Sequence, residues 1–255
     1  KSMSIFANIK NSLTKYKEAA MNPYIIEEFE NGLLVFKINR PEKRNAISYE
    51  VMDGLEISLR KAGEKSVKAL AITGEGGRAF CFVCDLSSFH SLKTEHEAFG
   101  MLSRMASLLK KILFLPKPTI AILNGTAVGG GCELAAACDY RIANAGIKAG
   151  FIQGTLAITT GWGGGSIIME KMLPANALRM LMEAKLYSDK ELKELGFIHS
   201  VIKGDPIDGC RSFLEEMLRL ESEVLEAYKD LLVKKWTAAG LEERIDQEVR
   251  RCSVL

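Results

Sequence analysis

Residues 119–143 read TIAILNGTAVGGGCELAAACDYRIA, and this stretch decides the fold class. The opening TIAIL run is short, apolar and rich in β-branched residues, which is typical of a buried strand. A glycine-rich turn follows, and a helix buried on most faces is expected to start at or near Gly130. The closing YRIA is another short strand. A strand, a tight turn, a buried helix and a second strand in so few residues predict an α/β layer architecture.

The glycines of this turn, Gly129, Gly130 and Gly131, also suggest chemistry. Glycine lets a ligand approach the backbone closely, and a helix N-terminus offers unpaired N–H groups and the positive end of a dipole. Both properties suit an anion or a developing oxyanion. The alternative is a turn in which strand and helix simply pack close, and the glycines alone leave both interpretations open. The spacing excludes a dinucleotide-binding or phosphate-binding glycine loop.

The same alternation continues toward the N-terminus. Residues 33–38, LLVFKI, predict a buried strand, and Ser48 is a plausible N-cap for a helix that runs to about Ala62. A second strand is expected at 68–73, before the glycines of TGEGG. Thr94 and Glu97 then form a capping box for a helix that reaches Leu115, where Pro116 and Pro118 stop it.

Toward the C-terminus the pattern becomes helical. Ser188 and Glu191 form a second capping box, and Gly196 ends the helix that it opens. One strand is expected within HSVIKG, residues 199–204. Residues 207–251 are charged and helix-periodic, and they predict a helical C-terminal unit. Residues 1–20 carry lysines and apolar residues near helical spacing, which suits either a surface helix or an organelle-targeting segment, and we favour the surface helix.

Composition excludes several classes of protein. The net charge of +2 over 255 residues argues against a nucleic-acid binder, and no apolar run is long enough to span a membrane. Six cysteines in a chain of this length predict reduced thiols and a cytoplasmic protein. Cys81 and Cys84 form a C-x-x-C, for which a zinc or redox role is the alternative. No second such pair and no nearby histidine accompanies it, so we expect no metal.

Three motifs in order resemble one known family. The run 120–143 resembles the core signature of the crotonase superfamily, which includes the enoyl-CoA hydratase/isomerase family. AFCFVCDLSSF, residues 79–89, and NRPEKRNAIS, residues 39–48, match two further segments of that family. The resemblance implies a spiral of ββα units over 22–205, after an N-terminal extension over 1–21. It also implies a helical oligomerisation region over 206–255, acyl-CoA ligands, and a homotrimer or dimer of trimers.

The resemblance also assigns roles to individual residues. Its two oxyanion-hole donors correspond to the backbone N–H groups of Cys84 and Gly130. The family's two catalytic glutamates correspond to Glu133 and Gln153. Its CoA-binding loop corresponds to three further positions, namely Lys43, Arg44 and Ala46. No metal and no separate cofactor is implied, because coenzyme A arrives with the substrate.

Gln153 departs from the family pattern, since a neutral amide cannot trade a proton at ordinary pH. Hydration of an enoyl thioester uses two carboxylates. Double-bond isomerisation needs only one residue that moves a proton, and decarboxylation needs no base. The segment 150–165, with its turn at Trp162, resembles alkylmalonyl-CoA decarboxylases. In such a decarboxylase, Gln153 is expected to avoid the repulsion that a second enzyme carboxylate would exert on the substrate carboxylate, and to offer that carboxylate an N–H donor.

Three functions therefore stay open. They are the hydratase/isomerase chemistry of the broad family, alkylmalonyl-CoA decarboxylation, and acyl-CoA binding without efficient chemistry. The retained Glu133 argues against the last, because a buried acid has no physical use in an inactive site. A second departure places Phe82 and Val83 where the family has small residues, which is expected to narrow the acyl pocket or to shift its loop.

Overall fold

The computed structural model describes residues 22–82 and 94–254, which form ten strands and nine α-helices. The strands are β1 Tyr24–Glu28, β2 Leu33–Ile38, β3 Ala69–Gly74, β4 Ala79–Cys81, β5 Thr119–Leu123, β6 Thr126–Val128, β7 Tyr140–Asn144, β8 Lys148–Gly150, β9 Tyr187–Ser188 and β10 Ser200–Ile202. The helices are α1 Tyr49–Ala62, α2 Glu95–Leu113, α3 Gly130–Ala137, α4 Gly164–Lys171, α5 Pro174–Glu183, α6 Asp189–Glu194, α7 Pro206–Leu218, α8 Ser222–Ala238 and α9 Leu241–Val254. Two short 3-10 helices are η1 Pro41–Lys43 and η2 Gln153–Leu156.

Two sheets share the strands. The larger has the order β1-β2-β3-β5-β7-β10 and is parallel except for the β1–β2 hairpin, whereas the smaller has the order β4-β6-β8-β9. Consecutive strands β3 and β4, β5 and β6, and β7 and β8 are divided between the sheets, with a helix after each pair. This repeat confirms the predicted spiral of ββα units. The extension 1–21 lies outside the described residues.

Local signals in the sequence set several boundaries correctly. The Ser48 side chain accepts a hydrogen bond from the backbone N–H of Val51, and α1 ends at Ala62. Capping boxes open α2 at Thr94 and α6 at Ser188. Helix α2 ends at Leu113, two residues before the predicted end, because Phe114 already leaves helical geometry ahead of Pro116.

The core contains the parallel strands and the helices that cover them. Strands β2, β3 and β5 are almost entirely buried, which agrees with their continuous apolar runs. Helix α3 is buried along its whole length. The C-terminal helices also pack on this core, since α7 covers β5 and β7 while α9 lies against α2 and α4. The last helix is therefore brought next to the glycine turn that opens α4.

Candidate active site

The turn before α3 needs its glycines for packing as well as for access. Gly129 adopts φ +55°, and a Cβ on Gly131 would collide with the carbonyl oxygen of Cys81. A Cβ on Gly130 would collide with the ring of Trp162. Gly130 is the first residue of α3, so its N–H has no acceptor within the helix. The glycines therefore allow close packing, and the role of the Gly130 N–H as a donor to a ligand stays a prediction.

Glu133 lies one helical turn after Gly130 and is only 2% exposed. Its Oε2 accepts hydrogen bonds from the backbone N–H groups of Trp162, at 2.8 Å, and Gly164, at 2.9 Å. Its Oε1 accepts one from the Gly161 N–H at 3.2 Å. Glycine is required at 164 because a Cβ there would collide with the Glu133 side chain. The carboxylate is thus held by the turn that leads into α4.

The pKa of Glu133 is raised to about 7: burial is the largest cause, the negative charge of Glu248 also raises it, and the three backbone N–H donors lower it. A carboxyl group with this pKa exists in both protonation states near neutral pH. It can accept a proton and return it without a large free-energy cost in either direction, which suits general acid–base chemistry.

Gln153 begins a 3-10 helix, η2, over Gln153–Leu156, and its side chain reaches Glu133. The Nε2 atom donates to Glu133 Oε1 at 2.9 Å. The Gln153 Oε1 atom is buried and has no hydrogen-bond partner among the residues that the structure describes. The sequence predicted an amide N–H aimed at a substrate carboxylate. One of the two amide N–H groups donates to Glu133, so the role of the amide toward a substrate carboxylate stays a prediction.

The predicted oxyanion donor Cys84 lies outside the described residues, as does Val83. The strand that leads to it is described. The N–H of Phe82, just after β4, donates to the carbonyl oxygen of Arg44 at 3.1 Å. The Arg44 guanidinium carbon lies 5.0 Å from the centre of the Phe82 ring. The bulky Phe82 therefore contacts the predicted CoA-binding loop.

The loop with Lys43, Arg44 and Ala46 is tightly bent. Arg44 and Asn45 both have positive φ, at 52° and 54°, and Lys43 and Arg44 are exposed. Ala46 is buried, and its carbonyl oxygen accepts from the Arg40 guanidinium at 2.7 Å. Exposed cations on a fixed backbone are suited to phosphate groups.

Asn45 fixes the position of this loop. Its side chain is fully buried, its Oδ1 accepts from the Arg40 N–H at 3.0 Å, and its Nδ2 donates to the carbonyl oxygens of Glu75 and Ala79. The loop is therefore attached directly to β4. Asn45 lies within the motif NRPEKRNAIS, but the motif alone assigned it no role. Its position between Arg44 and Ala46 was the available signal, because asparagine tolerates positive φ and bonds to nearby backbone.

Glu248 of α9 is the other residue that the sequence analysis missed. Its Oε1 accepts from the Gly165 N–H at 3.0 Å and from the Thr160 hydroxyl. Its Oε2 accepts from the N–H and the hydroxyl of Ser166, at 2.7 and 2.6 Å. Nothing local in the sequence around Glu248 predicts these contacts, because their partners lie more than eighty residues earlier.

Two structural findings concern metal sites and membrane-spanning helices. Within residues 22–82 and 94–254, no group of three or more histidine, cysteine, aspartate or glutamate side chains is arranged to hold a metal ion. In the same residues, no helix is long and apolar enough to cross a membrane. Cys132, Cys138, Cys210 and Cys252 are free thiols.

Known proteins match this chain in sequence. A family model described as enoyl-CoA hydratase/isomerase matches residues 28–253. A crotonyl-CoA hydratase from Syntrophomonas wolfei is 30% identical over 229 residues, which is 89% of this chain and 84% of that protein. An ethylmalonyl-CoA decarboxylase from Xenopus tropicalis is 27% identical over 248 residues, or 96% of this chain and 80% of that protein.

Solved structures match it as well. An enoyl-CoA hydratase from Thermoplasma volcanium superposes with a TM-score of 0.77 at 27% identity and covers 92% of each chain. An enoyl-CoA hydratase/isomerase from Xanthobacter autotrophicus gives 0.82 at 20% identity over 91% of this chain and 86% of that one, which supports the fold alone. With the spiral of ββα units and the family match over most of its length, the chain is a member of the enoyl-CoA hydratase/isomerase family within the crotonase superfamily.

Proposed function

We propose that the protein forms the enolate of an acyl-CoA thioester and that Glu133 alone moves the proton. The observation that supports this most directly is the pairing of Glu133 with the Gln153 amide, in a place where hydration chemistry calls for a second carboxylate. Double-bond isomerisation is the reaction that this site serves best. It takes a proton from one carbon and returns it to another, and one residue with a pKa of about 7 suits both steps.

The proposed oxyanion hole consists of the backbone N–H groups of Gly130 and Cys84. Proton removal beside a thioester places negative charge on the carbonyl oxygen. Two fixed N–H donors stabilise that charge without side-chain reorganisation, and one such donor typically contributes about 10²- to 10³-fold in rate. A backbone donor at Cys84 is compatible with its thiol side chain. The chemistry as proposed uses no metal and no separate cofactor.

The CoA moiety is proposed to bind at the loop with Lys43, Arg44 and Ala46. Lys43 and Arg44 are exposed, so they can meet the phosphates, and the Asn45 side chain ties the loop to the strand that leads to Cys84. The loop is therefore fixed relative to β4. The bulk of Phe82 beneath Arg44 favours a short acyl chain.

Decarboxylation of an alkylmalonyl-CoA is a second candidate, which the relative from Xenopus tropicalis favours. In this reaction the bond from Cα to the carboxylate breaks, carbon dioxide leaves, and the bond electrons form the enolate. Protonated Glu133 then gives its proton to Cα. Protonation also frees the Gln153 N–H, because the Glu133 O–H can donate to Gln153 Oε1 once the amide rotates. The amide then presents a donor to the substrate carboxylate.

One panel of substrates tests these proposals in a single protein preparation. It contains crotonyl-CoA, a 3-enoyl-CoA, methylmalonyl-CoA and ethylmalonyl-CoA, with butyryl-CoA as a ligand for binding alone. Turnover of the 3-enoyl-CoA above the rest supports the isomerase. Turnover of the malonyl substrates supports the decarboxylase, and saturable binding with no turnover supports the acyl-CoA-binding protein. Proficient crotonyl-CoA hydration contradicts the single-carboxylate proposal.

The variant Gln153→Glu sharpens this test. It supplies a second carboxylate, so we expect crotonyl-CoA hydration to rise above the parent by about tenfold or more, since general acid–base help typically contributes about 10²- to 10⁴-fold. Malonyl-CoA turnover should fall, mainly through weaker binding, because the new charge repels the substrate carboxylate. Thr155→Ser, a conservative change at an exposed position of η2, is the control and should leave both activities unchanged.

We also propose a homotrimer or dimer of trimers located in the cytoplasm. Two surfaces support the assembly. The first is the η2–α5 patch, formed by Leu156, Leu178 and Met182, and the second is the α8 stripe, formed by Val224, Tyr228 and Leu231. Both are exposed and apolar in the single chain, and such surfaces commonly mark contacts between proteins. The free buried thiols suit a reducing compartment.

A further inference from the structure

One face of α9 lies against the turn that holds Glu133. Ile245, Glu248 and Cys252 are spaced three and four residues apart, so they share a side of the helix. A Cβ on Gly163 would lie 2.6 Å from Ile245, and one on Gly161 would lie 3.0 Å from the Cys252 sulfur. Glycines in this turn therefore allow the close approach of α9.

Two carboxylates divide the backbone N–H groups of this turn. Glu133 accepts from residues 161, 162 and 164, and Glu248 accepts from residues 165 and 166. The Thr160 and Ser166 hydroxyls also donate to Glu248, so it holds the turn at both ends. Each anion also benefits from the positive end of the α4 dipole. A shift of Glu248 would move the turn whose neighbouring N–H groups orient Glu133.

Glu248 also acts on Glu133 through its charge. After burial, the negative charge of Glu248 is the largest cause that raises the pKa of Glu133. Among the described residues, the other titratable groups that interact electrostatically with Glu133 are the thiols of Cys132 and Cys252. Burial raises the pKa of both thiols, so they stay neutral near pH 7. Among the described residues, Glu248 is thus the charged group that dominates the electrostatics of Glu133.

We propose that Glu248 is a positioning residue, whose carboxylate holds residues 160–166 in the conformation that directs three N–H groups at Glu133. The proposal rests on the proposed role of Glu133 in proton transfer. Glu248 itself faces backbone and hydroxyl donors, so it acts through Glu133. A helix near the end of the chain thereby takes part in the site of its own subunit.

The variant Glu248→Gln keeps the shape of the side chain and one acceptor oxygen but removes the charge. In the pH profile of kcat, we expect the limb that Glu133 controls to move to lower pH by about half a pH unit or more, because a like charge has been removed. We also expect kcat to fall about tenfold, with KM for the acyl-CoA changed less than about threefold, because misplacement affects the chemical step. The control Glu243→Gln, on the exposed face of α9, should change neither.

A second measurement separates this proposal from the proposed function. The carboxyl carbon of Glu133, labelled with ¹³C and assigned through Glu133→Gln, reports its pKa by NMR without any turnover. A lower Glu133 pKa in Glu248→Gln, together with the kinetic shift, supports the proposal. An unchanged Glu133 pKa overturns it, as does a lowered pKa with unchanged kcat in an enzyme that Glu133→Gln inactivates. If Glu133→Gln stays fully active, the proposed function fails instead.

A third variant applies if Glu248→Gln does not fold. Thr160→Val with Ser166→Ala removes both hydroxyl donors to Glu248 and keeps its charge. We expect kcat to fall several-fold, roughly in line with a small misplacement, while the pH limb stays in place. An unchanged kcat in this folded variant overturns the positioning role.

Discussion

At the scale of single residues, the Glu133 carboxylate shows how far a sequence motif reaches. The motif places this acid one turn into a buried helix, and the structure confirms that position. The motif does not reveal which atoms surround the acid. The three N–H donors come from residues 161–164, and their direction depends on how a glycine turn folds against two helices. The orientation of the Gln153 amide depends on the same contacts, so the motif did not predict it.

The raised pKa of Glu133 gives a prediction about pH. If Glu133 begins as the base, as isomerisation requires, kcat/KM should rise with pH through about 7; if it acts as the acid in decarboxylation, kcat/KM should fall through the same pH. Glu133→Gln should remove that limb and lower kcat by about 10²-fold or more while CoA binding survives. Initial rates measured between pH 5 and 9 test the pH dependence, and calorimetry measures binding of the acyl-CoA.

The stability of the same variant provides an independent control. A carboxyl pKa raised from 4.5 to about 7 by folding contributes stability below pH 4.5 that is lost as pH rises to 7. Wild type should therefore lose stability relative to Glu133→Gln across this window. Parallel stability curves for the two proteins would contradict the raised pKa, whatever the kinetics show.

At the scale of elements, the sequence predicted most of the long or strongly signalled segments and missed the four strands of the second sheet. LLVFKI and TIAIL became β2 and β5, because a buried parallel strand requires a continuous apolar run. The second sheet was not predicted, since its strands have two or three residues each. Such strands carry no pattern of their own and form only because their neighbours supply hydrogen-bond partners.

Helix α3 shows a similar contrast between its two ends. Its N-terminus was predicted from glycines, whereas its C-terminus is closed by one cation from α4 and one from the following strand, β7. The Lys171 ammonium donates to the carbonyl oxygens of Ala137 and Cys138 at 2.8 Å, and the Arg141 guanidinium donates to the Cys138 oxygen at 2.8 Å. Buried cations at this end complement the helix dipole. They hold in place the helix that carries Gly130 and Glu133.

Lys171→Met is expected to destabilise the protein by about 1–3 kcal/mol, because it leaves the buried Ala137 carbonyl oxygen without this donor, whereas the Cys138 oxygen keeps Arg141. Burial lowers the pKa of Lys171 from 10.5 to about 7. Between these values the unfolded chain binds more protons, so this group makes wild type more stable as pH rises. The deficit of the variant should thus be larger at pH 9 than at pH 6.

Urea unfolding at the two pH values measures this deficit. Lys193→Met, at an exposed position on α6, is the matched control and should stay within about 0.5 kcal/mol of wild type. An equal deficit for Lys171→Met at both pH values would show that the buried ammonium keeps its ordinary pKa.

At the scale of the whole molecule, the C-terminal region has two kinds of surface. The sequence predicted that residues 206–251 pack between subunits, from charge and helical period together with the family resemblance. In the structure α7 and α9 pack on their own core, and the α8 stripe stays exposed. A helical period identifies an apolar face but not its partner, so the sequence could not divide the region in this way.

This division leads to a specific prediction about assembly. Helix α8 buries Leu225, Lys229 and Trp236 against its own subunit and leaves Tyr228 and Leu231 68% and 63% exposed. Met182 in the η2–α5 patch is 76% exposed. If these surfaces form the proposed trimer, a charge introduced there must be desolvated on assembly without a partner, which is costly. We therefore expect Met182→Glu and Leu231→Glu each to shift the protein toward the 28.1 kDa monomer.

Light scattering coupled to size exclusion at micromolar concentration measures the shift. Leu220→Glu is the control, because this exposed leucine lies in the turn between α7 and α8, outside both surfaces, and it should leave the mass of the assembly unchanged. Circular dichroism should show all three variants folded, since each side chain is exposed in the single chain. A monomeric wild type contradicts the trimer itself. A trimer that survives both substitutions would show that its interface lies outside the η2–α5 patch and the α8 stripe.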